Sequence, residues 1–364
     1  MKTTLKPLAI AIISTLLPAP LLAASIETDT GWSADIGLQL QAFAIQTDND
    51  TPAESGEENS FRIQSGFDPS KLTVSIGAPE VNGLKVGGTF QLVTNITDGK
   101  TEGSPDGGNL FGVRVAELTV SGDFGTVKAG RGWQIMGSHS LLHNTSSLPG
   151  VGGTSAGACG DFDGNEVKFS GGCGFIGYGY VWTNFASGIQ YASPNYDGFS
   201  FRVGVFEPLG GKESSTPRIE GEVAYNQDAF DIWASFVNQD AGADGDISAI
   251  DVGAEGRFGG LAITATYTTG DGIDYGFRSP SMNESTFYAV EVDYTINQST
   301  FGISLGSAEL NDQADQNIYE SDISTVFVHH NLTPYLTLVG EWVNEDVKGS
   351  REIAHFAVGA QLMF

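Results

Sequence analysis

The amino-acid sequence predicts an all-β fold, a 16-stranded antiparallel β-barrel that spans a membrane. The C-terminal segment alternates strictly: Phe356, Val358 and Phe364 share one face of a strand, and Gly359 and Gln361 share the other. The chain begins with an export signal, and its remainder has no apolar run of about 18 residues, the minimum for a spanning helix. An exported chain that spans lipid without helices must close a barrel, because hydrocarbon does not tolerate an open sheet edge.

The N-terminal residues have the three parts of a secretory signal. Lys2 and Lys6 supply positive charge, Leu8–Leu17 is an apolar stretch, and Leu22–Ala24 ends in small residues that suit cleavage. We therefore divide the chain into a signal peptide at 1–24 and a barrel domain at 25–364. About 340 residues are too many for a small sandwich but natural for one large barrel.

Half-polar strand segments recur about every 20 residues, each close to the length that a tilted barrel strand needs. Very short linkers alternate with long polar ones, and counting through with this alternation gives an even number of strands. The short linkers should lie on the periplasmic side and the long ones should face outward. The long linkers are 46–60, 97–109, 208–217, 239–247, 270–285 and 309–320, and the longest, 132–183, follows the fifth strand. A linker of that length without obvious structure of its own is usually functional.

The charge of the chain is strongly negative. The signal contains two of the 17 basic residues and none of the 44 acidic ones, which leaves a formal charge of −29 on the barrel domain. Nucleic acid and anionic lipid surfaces are therefore unfavourable partners, whereas cations are favourable ones. A solvated surface adapted to salty or divalent-rich surroundings would explain the same acidity.

The two cysteines, Cys159 and Cys173, both lie in the longest linker. An oxidising compartment makes a disulfide between them the default. On the chain-entropy model this bond, which closes a loop of about 15 residues, would contribute about 3 kcal/mol. Two cysteines alone make a poor metal site.

Three segments carry a resemblance to a known family: Arg114–Arg131, Ser187–Phe199 and the strand that ends at Phe364. Together they resemble the general bacterial porins, the trimeric 16-stranded diffusion channels of Gram-negative outer membranes. The first segment is similar to the fourth and fifth strands of that family, and the second to its sixth-strand pattern. The resemblance covers the barrel domain in strand order and says little about the solute.

The resemblance implies that the third loop, 132–183, folds into the lumen and narrows it. In that family, acidic loop residues face a row of bases on the wall. Arg62 and Arg114 match two wall arginines, and their parity places Lys85 and Lys128 beside them. The sixth-strand arginine is missing, and Asn184 is the nearest equivalent.

The acidic half of the expected filter departs from the family pattern. The segment Leu148–Thr154 resembles the family's loop turn, but Gly150 and Ser146 stand where acids would be. Asp161, Asp163 and Glu166 could replace those acids as carboxylates that line the constriction. They could equally form a solvated loop tip or the start of a calcium loop, although Gly172 stands where an EF-hand needs an acid.

Strand parity sorts the charges that should face the lumen. Basic residues outnumber acidic ones on the earlier strands, and acidic residues outnumber basic ones on the later strands. This distribution suggests an electric field across the lumen. The acids are Asp35, Glu220, Glu222, Asp251, Glu255, Glu291, Asp293 and Glu341; the bases are Arg62, Lys85, Lys128, Arg202, Arg218 and Arg257.

Most of the acidic excess lies in the predicted outer loops, for example Asp98, Glu102 and Asp106. A negative mouth concentrates cations within a Debye length, about 8–10 Å near physiological salt. We therefore expect a weak cation preference that strengthens at low salt. The same acids could instead bind divalent ions that bridge to lipopolysaccharide.

These observations favour a passive outer-membrane channel for ions and small hydrophilic solutes, a homotrimer by resemblance, without a cofactor. A solute-specific channel and an adhesion barrel remain alternatives. The hypothesis of a hydrolase is weaker, because Ser140 beside His139 has no nucleophile elbow and no evident orienting carboxylate. His139 and His143 would share a helix face, but without a nearby acid they make a poor metal site, and water satisfies them more simply.

Overall fold

The computed structural model describes residues 24–49, 59–94, 112–146, 148–151, 181, 183–208, 216–240, 246–273, 282–312, 317–348 and 351–364. The predicted signal residues 1–23 lie outside this set. No helix among these residues is long and apolar enough to cross a membrane.

Within these described ranges, one continuous antiparallel sheet of 18 strand segments dominates, and one short helix accompanies it. The strands are β1 Ala24–Glu27, β2 Ser33–Asn49, β3 Asn59–Gln64, β4 Ser70–Gly77, β5 Lys85–Thr94, β6 Gly112–Gly122, β7 Gly125–Trp133, β8 Phe185–Ala192, β9 Phe199–Phe206, β10 Arg218–Gln227, β11 Phe230–Gln239, β12 Ile247–Phe258, β13 Leu261–Asp271, β14 Met282–Ile296, β15 Ser299–Asp312, β16 Asn317–Thr333, β17 Leu336–Val347 and β18 Arg351–Met363. The helix, α1, is Ser138–Leu142.

The sheet closes into a barrel of 16 wall strands, as the sequence predicts. Strand β18 pairs with β2, which leaves no edge open in the wall. Strands β3 and β4 both pair with β2, β3 with its residues 43–48 and β4 with its residues 33–39, so that the two segments form one wall strand. Strand β1 pairs with the first residues of β2 and adds only a short hairpin.

The interruption between β3 and β4 occurs where the backbone approaches other groups closely. A Cβ on Gly66 would lie 2.4 Å from Gln41 Oε1 and 2.5 Å from the carbonyl oxygen of Gly150. Pro69 has no N–H to donate to a ladder, which also disfavours an uninterrupted strand.

The period-2 pattern places apolar residues outside and polar residues inside the barrel. On β11, Ile232 and Phe236 are exposed on the outer face, whereas Asp231 and Ser235 are buried inside. The outer face is apolar because it contacts lipid, and the inner face carries the charges.

Long and short connections alternate around the barrel, as expected from an even-stranded meander. Four long linkers are shorter than predicted because the strands before them continue into the predicted linker: β2 ends at Asn49, β11 at Gln239, β13 at Asp271 and β15 at Asp312. Polar residues at a rim can extend a ladder, because the ladder needs only backbone hydrogen bonds there.

Closure of the barrel depends in part on the last residue. The Leu38 N–H donates to the Phe364 carbonyl, and the Phe364 N–H donates to the Leu38 carbonyl, both at 2.8 Å. Deleting Phe364 removes two hydrogen bonds worth about 1 kcal/mol each. We expect a lower midpoint of thermal unfolding in detergent, followed by circular dichroism. The control is Phe364→Leu, which keeps both backbone bonds; equal midpoints for the two variants would contradict the prediction.

Candidate functional site

After the end of β7, the described residues 134–146 and 148–151 lie along the inner wall, and we call them the segment 134–151. Four of their apolar side chains are completely or almost completely buried, each in a separate cluster on the wall, and the first, Ile135, packs with Phe206. Met136 packs in a cluster with Val237, Leu141 in one with Val343, and Val151 in one with Val339. Burial of these side chains is the main force that holds the segment against the wall.

Carboxylates on the wall also bind the backbone of this segment. Glu220 Oε2 accepts hydrogen bonds from the N–H groups of Ile135 and Met136 at 2.7 and 2.9 Å. Glu220 is completely buried and also accepts a bond from Arg218 Nε at 2.7 Å. Its charge is therefore stabilised by three donors, which offsets the cost of removing it from water.

The same arrangement recurs further along the segment. Glu291 accepts from the Thr145 and Ser146 N–H groups at 2.7 and 3.1 Å, and Glu341 Oε2 accepts from the Val151 N–H at 2.7 Å. We call Glu220, Glu291 and Glu341 the clasp carboxylates. Each is buried, and together they hold the start, middle and end of residues 135–151.

The helix α1 is attached to the wall through its side chains. The Ser140 hydroxyl donates to Asp251 at 2.8 Å and accepts from Trp233 Nε1 at 3.0 Å. The Trp233 ring stacks on His143, with ring centroids 4.5 Å apart. Asp251 and Trp233 are both buried, so α1 covers this part of the wall.

Two histidines of this segment face charged wall residues. His139 Nδ1 lies 2.7 Å from Glu222 Oε2, and Arg202 Nη2 contacts the same carboxylate at 2.6 Å. His143 Nε2 lies 3.1 Å from Asp231 Oδ2. The sequence interpretation, in which water satisfies these histidines and no acid lies near them, is therefore wrong. The topology of the barrel brings the acids from β10 and β11.

The two imidazoles respond oppositely to this environment. Burial is the largest influence on His139 and lowers its pKa, which Glu222 only partly opposes. Burial also acts to lower the pKa of His143, but the hydrogen bonds to Asp231 and to the His139 carbonyl outweigh it and raise the pKa. Of the two imidazoles on this face of α1, His143 therefore binds a proton more readily than His139.

The far end of the segment reaches the strand break. The Phe67 N–H donates to the Gly150 carbonyl at 2.9 Å. Beside it, Asp68 accepts from Arg114 Nη1 at 2.8 Å and from Lys71 Nζ. The segment therefore follows the inner wall from β10 across β14 and β17 to the junction of β3 and β4.

The structure separates the predicted wall bases. Arg114 is buried, paired with Asp68, and its guanidinium lies 4.9 Å from the centroid of the Phe185 ring. Lys128 is 45 % exposed and lies 3.7 Å from Glu117. Lys85 is exposed at the first position of β5, and the backbone of Arg62 lies in β3, whereas its side chain is outside the described residues. Of the four, Lys85 and Lys128 are thus the cations that the described part of the chain leaves accessible.

The remaining predicted site residues, all in the third loop, lie outside the described residues. They are Cys159, Asp161, Asp163, Glu166 and Cys173.

Sequence reasoning missed three residues of this site. Asp231 shares the parity of Ser235 on a recognised strand, so the alternation could have identified it. Trp233 has that parity too, but the pattern reads it as one more apolar residue. Asp68 lies between β3 and β4, where no periodic signal exists.

Comparisons with known proteins place this architecture. A sequence profile described as Gram-negative porin matches residues 9–350. A comparison with curated protein sequences gives no significant match.

Several solved structures share the fold at low identity. The anion-selective porin from Comamonas acidovorans is similar with 19 % identity and a TM-score of 0.65, over 92 % of this chain and 100 % of that one. The outer membrane channel DcaP of Acinetobacter baumannii is similar with 14 % identity and a TM-score of 0.65, over 94 % of this chain and 100 % of that one. The in-vitro folded trimer form of OmpT from Vibrio cholerae is similar with 14 % identity and a TM-score of 0.57, over 92 % of this chain and 99 % of that one.

Proposed function

The chain belongs to the Gram-negative porin family, and from this premise we propose a weakly cation-preferring passive channel for ions and small hydrophilic solutes. That it is a diffusion channel of the bacterial outer membrane follows from the family and the closed barrel. The observation that carries the proposal is the segment 134–151, which lies inside the barrel along its wall. The segment takes up space inside the barrel and therefore narrows the lumen.

The proposed cation preference arises at the mouth rather than on the wall. The clasp carboxylates accept hydrogen bonds from the segment, and Asp251 accepts from Ser140, so these buried acids already have partners within the protein and are not exposed to ions in the lumen. The accessible cations Lys85 and Lys128 oppose cation entry. A net preference for cations must therefore come from acids of the outer loops, such as Asp98, Glu102 and Asp106.

The test is the reversal potential of the purified protein in planar bilayers under a KCl gradient, at low and at high salt. We expect large ohmic steps and a cation preference that fades as salt rises, because the Debye length shortens from about 30 Å at 0.01 M to about 3 Å at 1 M. Replacing Asp98, Glu102 and Asp106 together with asparagine should reduce the preference. A preference for anions at low salt would contradict the proposal, and small saturable steps would favour a solute-specific channel.

We extend the proposal to the rest of the third loop. Val151 and Val181, the described residues on either side of this part of the loop, are both buried on the inner wall of the barrel. This supports a role for Asp161, Asp163 and Glu166 in lining the constriction and for a Cys159–Cys173 disulfide in stabilising the loop. The test compares conductance and gating of the oxidised wild-type protein with those of the reduced protein and of Cys159→Ser; no change on reduction or in the variant would contradict the role of the disulfide.

Other properties are proposed on narrower grounds. A homotrimer is supported by the trimer form among the similar structures. Absence of catalysis is supported by Ser140, whose hydroxyl proton is bound by Asp251, while His139 faces Glu222 instead. Divalent ions bound to the outer acids would provide contacts with lipopolysaccharide.

A further inference from the structure

A histidine and two carboxylates converge beside α1, on the inner wall of the barrel. The ligand atoms of His143, Asp231 and Glu255 all lie within 4.8 Å of one another. We propose that these three residues form a binding site for one divalent transition-metal ion of the Zn²⁺ type. The proposal goes beyond diffusion through the channel and does not depend on its ion preference.

The orientation of His143 suits a metal ligand. Its Nδ1 lies 2.9 Å from the His139 carbonyl oxygen, which can only accept a hydrogen bond. Nδ1 therefore carries a proton, and in the neutral imidazole the lone pair is on Nε2, the atom that faces Asp231 at 3.1 Å. A backbone carbonyl that binds the second ring nitrogen is the usual support of a metal-binding histidine.

A cationic group already occupies the point where the ligands converge. Arg257 Nη1 lies 2.7 Å from Asp231 Oδ2 and also contacts Glu255 Oε1. The two carboxylates are thus arranged around one positive charge. A bound metal ion would have to displace Nη1, while Nη2 could keep its 2.6 Å bond to the Gln227 carbonyl.

The cluster is accessible from solution. Asp231 and Arg257 help to line an open cavity of about 630 Å³, together with Asn195, Asn226 and Asp228. The Arg257 side chain is 33 % exposed, so it can move into this space. The cavity lies beside the β8–β9 and β10–β11 turns, so an ion that enters it meets Asp231 directly and reaches Glu255 once Arg257 moves aside.

The donor set selects the class of metal. One imidazole and two carboxylates, with water completing the shell, suit Zn²⁺, Cu²⁺ or Ni²⁺. Mg²⁺ and Ca²⁺ prefer sites made of oxygen alone. This distinguishes the proposed site from the acidic outer loops, which would bind Ca²⁺ at least as readily.

The experiment is calorimetric titration of Zn²⁺ into the full-length protein in detergent after treatment with a chelator. We expect one site per chain that is stronger than the binding of Ca²⁺. His143→Gln should weaken Zn²⁺ binding by at least about tenfold. Arg257→Gln should strengthen it, because the competing charge is gone. The control, His330→Gln, changes a histidine that hydrogen-bonds to Ser299 and should leave the titration unchanged.

A second readout protects the test against variants that do not fold. The Trp233 ring stacks on His143, so Cu²⁺ bound there should quench its fluorescence. Trp233→Phe should remove most of the quenching by low concentrations of Cu²⁺. The proposal is overturned if His143→Gln and Arg257→Gln both bind Zn²⁺ as the wild type does, or if quenching by Cu²⁺ persists unchanged in Trp233→Phe.

Discussion

Replacing Glu291 with alanine is expected to release the middle of residues 134–151 from the wall and to increase the current noise of the open channel. The carboxylate is 2 % exposed and binds the N–H groups of both Thr145 and Ser146. Without it, two donors lose their partner in a place with little water. Each lost bond of this kind costs about 1–3 kcal/mol, enough to populate detached arrangements of the segment.

The measurement separates a structural role of Glu291 from a role in ion selection. If Glu291 acted mainly as a fixed charge that attracts cations, the alanine variant would shift the reversal potential and leave the noise unchanged. If it acts as a clasp carboxylate, single-channel records should show new substates, with a smaller change in reversal potential.

The matched control is Glu309→Ala, which removes an exposed acid on β15. Equal noise in the wild type, Glu291→Ala and Glu309→Ala would contradict the clasp role. Glu341→Ala should resemble Glu291→Ala, because it releases the end of the same segment.

Replacing Gly125 with valine is expected to prevent most of the chain from assembling into a barrel. Gly125 has a φ of +110°, a conformation that residues with a side chain rarely adopt. A Cβ there would lie 2.3 Å from the Ala192 carbonyl oxygen and 3.1 Å from Pro194 Cδ. The substitution therefore adds a clash with the backbone of β8 to the strain at the start of β7.

Relief of this clash would require β7 and β8 to separate where Thr126 pairs with Ala192. A combined cost above about 3 kcal/mol would reduce the folded-to-unfolded ratio more than a hundredfold. The measurement is the fraction of heat-modifiable, folded protein on gels without boiling.

Gly83→Val is the control for strain alone. Gly83 has a φ of +73°, but a Cβ there would meet no atom within 4 Å. We expect this variant to assemble with a modest loss of stability. Normal assembly of Gly125→Val would show that the loop between β6 and β7 relaxes more easily than its contacts indicate.

Strand parity identified several of the charged residues on the inner face, because a β-strand alternates its side chains with period 2. Glu220, Glu291 and Glu341 were predicted on the inner face for this reason, and the structure confirms their position. Their function was not predictable from parity. Their partners are backbone N–H groups between 84 and 190 residues away in the chain.

Arg114 illustrates the opposite case, in which the residue type suggested an accessible pore cation. A break in the wall strand places Asp68 opposite it, and the two side chains form a buried pair. No periodic pattern predicts such a break, because the break depends on the close approach of Gly66 to Gly150 in three dimensions.

The sequence by itself determined the barrel, its 16 strands and the two faces of the wall, because these follow from local alternation and from the requirement that a sheet in lipid be closed. Only the tertiary structure decided which charges remain accessible. It brought Asp231 and Glu255 to His143, and the clasp carboxylates to the segment 134–151. The physical reason is that an inner wall brings together residues from distant strands, and the loop segment that crosses the wall buries some of them and leaves others exposed.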